Sequence, residues 1–231
     1  MVRHPNAPRR LRAGAIDRRT AAGAFVVAAV ALFATAAVVR EPQAPAPPPD
    51  ARAARELVVL MRTGARRSWL VTYDFTRTLA SGHSLHETMR EGRTPGLHAL
   101  LSGSSMTFER GTHQYECNLI GPRSECTQSA TGSFLPAWAV LRVAVHVGAY
   151  GVSREPPETI AGEPASCFRV ATTGSRYLPD LGTESEMCLA RDGVSLRQRI
   201  VRSSGDVDER VARSVRRGSV TGAVRALIRG F

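Results

Sequence analysis

Residues 20–39, TAAGAFVVAAVALFATAAVV, carry no charge and are bounded by Arg19 and Arg40. At 1.5 Å per residue, a helix of this length spans roughly 30 Å, the thickness of a bilayer's hydrocarbon core. The stretch holds one Gly and no Pro. Ahead of it stand Arg3, Arg9, Arg10, Arg12, Arg18 and Arg19 against one acid, Asp17. Behind it, Arg40, Arg52 and Arg55 alternate with Glu41, Asp50 and Glu56. The positive-inside bias therefore expects a single-pass signal anchor in the cell membrane. Its N-terminus would be cytoplasmic and the C-terminal domain extracytoplasmic. A cleaved signal ending at Ala34-Thr35-Ala36 is the alternative. No cysteine near the end of the run offers a site for lipid attachment.

This placement divides the chain. Residues 1–19 form an Arg-rich cytoplasmic tail that is too polar to bury a core and is expected to be disordered. Residues 40–52 are a Pro-rich linker. Their central run, EPQAPAPPPD (41–50), favours extended polyproline II and holds the following domain roughly 30 Å off the membrane. Residues 53–231 are long enough for one domain with a sizeable core.

The net charge of +11 argues little about partners. Residues 1–41 contain seven Arg and two acids, and the remaining positive charges are interleaved with acids. There is no basic stripe with stacking aromatics, so nucleic acid is not expected as a partner. Every basic residue is Arg rather than Lys, which fits GC-rich coding.

After the linker the periodicity changes twice. In residues 51–66, Ala54, Leu57, Val58, Met61 and Ala65 follow a helical spacing, with Asp50 as cap. From Ser68 the period is two: Trp69, Val71, Tyr73 and Phe75 alternate with Leu70, Thr72, Asp74 and Thr76. A turn at Ser81-Gly82 leads to a return strand over 83–91, and 92–98 read as loop. Met106 and Phe108 mark another strand, with its return over His113–Leu119. Residues 134–150, FLPAWAVLRVAVHVGAY, read as a helix lying over a sheet, with Trp138, Leu141 and Val145 on one side and Arg142 and His146 on the other. Its β-branched content keeps a buried strand open as an alternative. Residues 151–164 read as loop. Strands follow at 165–172 and 184–190. The Asp192-Gly193 turn leads into strands 194–202 and 207–215. Val220, Val224, Leu227 and Ile228 close the chain at helical spacing.

Cys117, Cys126, Cys167 and Cys188 all fall on the expected outer side, where disulfides persist. Cys117 and Cys126 close a short hairpin over Gly121-Pro122. In 165–172 and 184–190 each cysteine faces away from the large apolar side chains. Pairing these strands puts Cys167 and Cys188 on one face. The expected bridges are Cys117–Cys126 and Cys167–Cys188.

No catalytic motif is present. His83, His86 and Glu87 form H-x-x-H-E rather than the H-E-x-x-H of zinc proteases. There is no G-x-S-x-G elbow, no Gly-rich phosphate loop and no C-x-x-C. The expectation is a non-enzyme without metal or cofactor.

The helix-to-strand entry at Arg55–Arg77, the inserted apolar helix at Leu135–Tyr150, and the strands IAGEPASCFRV (160–170) and MCLARDGVSLRQRIVRSSG (187–205) together resemble the LolA/LppX family of extracytoplasmic lipoprotein and lipid carriers. The resemblance covers most of residues 53–216 and is one of pattern. It implies an α+β fold: after the transmembrane helix, a curved antiparallel β-sheet, or half-barrel, with covering helices over an apolar concavity. Trp69, Val71, Tyr73, Phe75, Phe108, Tyr115, Trp138, Leu141, Val145, Phe168 and Val170 would line it. The family implies a lipid or the acyl chain of a lipoprotein as ligand. The tether departs from a diffusing carrier. It leaves open the ectodomain of a single-pass sensor or regulatory protein.

Overall fold

The computed structural model describes residues 50–119, 125–131, 135–174, 178 and 181–228. The expected tail, the apolar segment 20–39, most of the spacer and the Gly121-Pro122 turn lie outside them. Among the described residues, no helix is long and apolar enough to cross a membrane.

Asp50 starts the described chain. Its carboxylate accepts from the Arg52 N–H at 2.7 Å and caps α1 (Ala51–Gly64). Eleven strands follow: β1 (Trp69–Thr78), β2 (Ser84–Thr94), β3 (Leu97–Ser102), β4 (Ser105–Arg110), β5 (His113–Asn118) and β6 (Glu125–Thr131), then β7 (Tyr150–Ile160), β8 (Glu163–Thr172), β9 (Glu184–Ala190), β10 (Ser195–Val201) and β11 (Val207–Arg217). Helix α2 (Ala137–His146) separates the two runs, and α3 (Thr221–Leu227) ends the described chain. All strands join one antiparallel sheet in the order β6-β5-β4-β3-β2-β1-β11-β10-β9-β8-β7. The sheet is thus two meanders sewn together where the first strand pairs with the last.

The expected α+β class holds, and residues 137–146 are helical rather than a buried strand. Two expected loops are strand instead. Residues 92–98 belong to β2 and β3, joined by a tight turn at Pro95-Gly96 with Gly96 at φ 75°. Gly92 lies inside β2 because α3 sits close on it: a Cβ there would stand 2.8 Å from Val224. Residues 151–160 form β7 despite Pro156-Pro157. The prolines fall in an irregularity between Glu155 and Glu158, on an edge strand where missing N–H donors cost little. β3 has no counterpart in the sequence reading.

Three apolar clusters hold the domain together. The first lies between α1, α2 and strands β7–β9, with Leu57, Leu141, Val152, Phe168 and Val170 fully buried. The second joins β1 and β2 to β8–β11 around Val71, Tyr73, Leu196 and the Cys167–Cys188 bridge. The third is built on β3–β5 from Ala99, Met106, Phe108 and Cys117, with Leu227 and Ile228 packed against it. Helix α1 is seated by backbone contact: Gly64 meets the Gly193 carbonyl, and Gly193 at φ 83° lies against Leu60. Trp69 Nε1–H donates to the Gly64 carbonyl at 3.0 Å, tying the helix end to β1.

Candidate functional site

The eleven residues expected to line one concavity are divided among the clusters. Leu141, Phe168 and Val170 belong to the helix-covered first cluster, and Val145 packs against it. Trp69, Val71 and Tyr73 belong to the second, with Phe75 at its margin. Phe108 and Tyr115 belong to the third, their rings stacked at 4.7 Å. Trp138 stands apart, half-buried on α2 between two guanidinium groups, Arg62 at 5.3 Å and Arg142 at 5.6 Å.

Helix α2 covers the first cluster. Ala139, Leu141 and Ala144 are buried by contact with α1 and β7. No side chain caps its N-terminus, where Pro136 stands. The outer side is unexpectedly apolar. Leu135, Val143 and Val147 are 66%, 50% and 68% exposed, beside exposed Arg142 and His146.

A polar network that the sequence did not reveal crosses β1. Arg210 Nη1 donates to Glu91 Oε2 at 2.8 Å, and its guanidinium stands 5.2 Å from the centre of the Tyr73 ring. His98 Nε2 lies 2.8 Å from Glu91 Oε1, and its Nδ1 lies 3.7 Å from Glu109. Burial pushes the Glu91 carboxyl up, but Arg210 and His98 outweigh it and hold the group at about 2. Burial pushes His98 down, yet Glu109 and Glu91 raise it above its ordinary value. Burial, then Glu91, raises the Tyr73 hydroxyl, which donates to the Ser195 carbonyl at 2.9 Å. The residues come from β1, β2, β3, β4 and β11. Only the pairing of β1 with both β2 and β11 brings Glu91 and Arg210 together.

A cleft of about 430 Å³ opens beside the end of α1, lined by Thr63, Arg67, Glu163, Ala190, Asp192 and Arg217 among others. Arg217 is bound to both Glu163 and Asp192, which raises its pKa in that order of effect. None of the eleven expected apolar residues lines this cleft.

Both expected disulfides are present, each between directly opposed residues of neighbouring strands. Glu158 lies near Cys167 and Cys188, but sulfurs bonded to each other are not thiolate ligands, so this cluster does not fit a metal. His86 and His83 are engaged by Thr76 and Ser81 and do not converge.

No protein-family model and no curated relative matches the sequence. Among solved structures, the chain is similar to MucB in the MucA/MucB complex of Pseudomonas aeruginosa. That match has a TM-score of 0.53 and 15% identity, and covers 75% of this chain and 60% of that one. The chain therefore spans about three-fifths of that MucB chain. Other matches are an uncharacterized conserved protein from Thermus thermophilus and a LolA superfamily protein from Nitrosomonas europaea. The first has TM-score 0.47 and 12% identity, covering 74% of this chain and 90% of that one. The second has TM-score 0.33 and 8% identity, covering 74% and 96%. The likeness to the MucB structure is one of fold.

Proposed function

We propose that residues 53–231 form a non-catalytic binding domain on the outer side of a bacterial cell membrane, tethered there by residues 20–39. In this reading the domain takes an acyl chain, of a lipid or a lipoprotein, between the helix layer and the sheet. The observation that carries it is α2: a helix without a side-chain cap whose buried side, through Leu141 and Ala144, shares one apolar cluster with Leu57 of α1 and with Val152, Phe168 and Val170 of the sheet. Displacing α2 would uncover Leu141, Phe168 and Val170 together, which is the apolar lining an acyl chain needs.

Chain length supports a half-barrel. Laid flat, ten inter-strand steps would put β6 and β7 roughly 48 Å apart. Only residues 132–136 join the end of β6 to α2, a reach of roughly 20 Å, and α2 packs at the β7 edge. A curled sheet that brings its two edges toward each other satisfies this connection.

The test is native mass spectrometry of residues 50–231 secreted through a bacterial envelope. All three clusters lie within this piece. The expected result is a bound-lipid mass that exchanges with added phospholipid. A lipid-free mass that stays unchanged on adding phospholipid refutes the acyl-chain reading. A second reading, the ectodomain of a single-pass regulatory protein, is favoured by the MucA-bound state of the similar MucB structure. It predicts the lipid-free mass together with a stoichiometric protein partner.

A further inference from the structure

The outer side of α2 is left unused by the reading above, which concerns the side facing the sheet. Val143 and Val147 stand one turn apart on it, and Leu135 precedes the helix. Arg142 and His146 share this side. Trp138 lies at its border, with Arg62 of α1 and Arg142 stacked on the ring. Residues 135–150 contain no Asp or Glu. The one acid of α1, Glu56, is ion-paired to Arg154. The surface is therefore aliphatic, rimmed by Arg, with a Trp at the edge and no carboxylate of its own. That is the chemistry of a helix lying in the headgroup region of a bilayer, where aliphatic tips enter the acyl boundary and arginines meet phosphates.

The path of the chain favours this surface over any other on the domain. The Asp50 N–H donates to the Val152 carbonyl of β7 at 2.8 Å, so the spacer enters beside the strand on which α2 rests. A spacer of this length keeps the domain within roughly 30 Å of its anchor. Such confinement corresponds to an effective concentration on the order of millimolar, at which a weak surface contact is occupied.

We infer that the outer side of α2 docks on the anionic bilayer surface that carries the tether, with Leu135, Val143 and Val147 entering the interface and Arg62 and Arg142 meeting lipid phosphates. This inference rests on the extracytoplasmic, tethered reading above. It does not require that an acyl chain enters the domain.

The chain has two tryptophans, and Trp69 is buried while Trp138 lies at the proposed contact. The test uses the full chain in nanodiscs of phosphatidylglycerol with brominated acyl chains, which quench tryptophan at short range. Trp138 emission, read in a Trp69→Phe variant, is expected to fall by roughly half, as for a helix buried 5–10 Å into the interface. Should Trp69→Phe not fold, the difference between the native chain and Trp138→Phe gives the same reading. The paired substitution Val143→Asp and Val147→Asp should abolish the quenching, and Arg62→Glu with Arg142→Glu should reduce it severalfold. Unquenched Trp138 with the native Val and Arg side chains in place, quenching that survives the Asp substitutions, or a cross-linked dimer covering Val143 would each overturn the inference. Lipid captured by the domain is read separately by the mass measurement above. Loss of bound lipid with quenching intact refutes only the acyl-chain reading, and loss of quenching with bound lipid intact refutes only the docking.

Discussion

Arg210 and Glu91 meet over the ring of Tyr73. Glu91 is opposite Val71 on β2, Arg210 is opposite Phe75 on β11, and both reach toward the residue midway between these partners. The guanidinium Nε is buried without a hydrogen-bond partner, so Glu91 carries most of the compensation for that charge. Removing one member of a buried pair leaves the other charge stranded. Glu91→Ala is expected to cost about 3 to 5 kcal/mol in urea unfolding. Glu91→Gln combined with Arg210→Met should recover most of that loss, since no buried charge remains. Equal losses in the single and double variants would show that the pair is not what matters.

The same network sets a pH window. The Glu91 carboxyl sits at about 2 when folded, against 4.5 ordinarily, so its stabilisation is complete above 4.5 and is lost as pH falls toward about 2. The full effect is about 3 kcal/mol. His98 is shifted the other way. Its contribution is complete below its ordinary 6.5 and fades as pH rises through its raised folded value. Thermal unfolding is therefore expected to be most resistant between about 4.5 and 6.5. Glu91→Gln should flatten the acid limb and His98→Gln the alkaline limb. Unchanged limbs in these variants would assign the pH dependence to other groups.

The two disulfides differ in access. Cys167 and Cys188 are 3% and 1% exposed, whereas Cys126 is only half-buried. Mild reductant with alkylation and mass mapping should label Cys117 and Cys126 first. Losing Cys167–Cys188, which closes the longer loop, should cost about 3 kcal/mol and the other bridge slightly less. Simultaneous labelling of all four would mean that access does not govern the order.

Gly64 is where α1 rests its backbone on the β9–β10 turn. A Cβ there collides with the Gly193 carbonyl, which belongs to backbone and cannot rotate away. Gly64→Ala is expected to destabilise by about 1 to 3 kcal/mol, although alanine is the better helix former. In contrast, Gly222→Ala, in α3 with open space around it, should be neutral or stabilising. A Gly64→Ala melting point equal to or above that of the native protein would exclude the close contact.

Much of the domain could be read residue by residue. The alternation Trp69-Val71-Tyr73, the helical spacing of Leu57 and Leu141, the Asp192-Gly193 turn and the parity of Cys167 and Cys188 are local patterns. Each reports its own element because helix and strand repeat at different periods. The errors arose where environment overrides composition. Pro156-Pro157 reads as loop until it is known that β7 is an edge strand, and Gly92 reads as a break until α3 is seen against it.

Local periodicity determined α1, α2, β1 and the strands β8 to β11 and which cysteines pair, and composition marks an uncharged stretch of twenty residues ahead of the domain. It says which side of an element is apolar, since that depends on residues a few positions apart. The joining of β1 to β11, the meeting of Glu91 with Arg210 across 119 positions, and the outward turn of Val143 and Val147 were decided by the tertiary structure. Each of these depends on which distant surface arrives to cover a face, and no spacing within one segment encodes that.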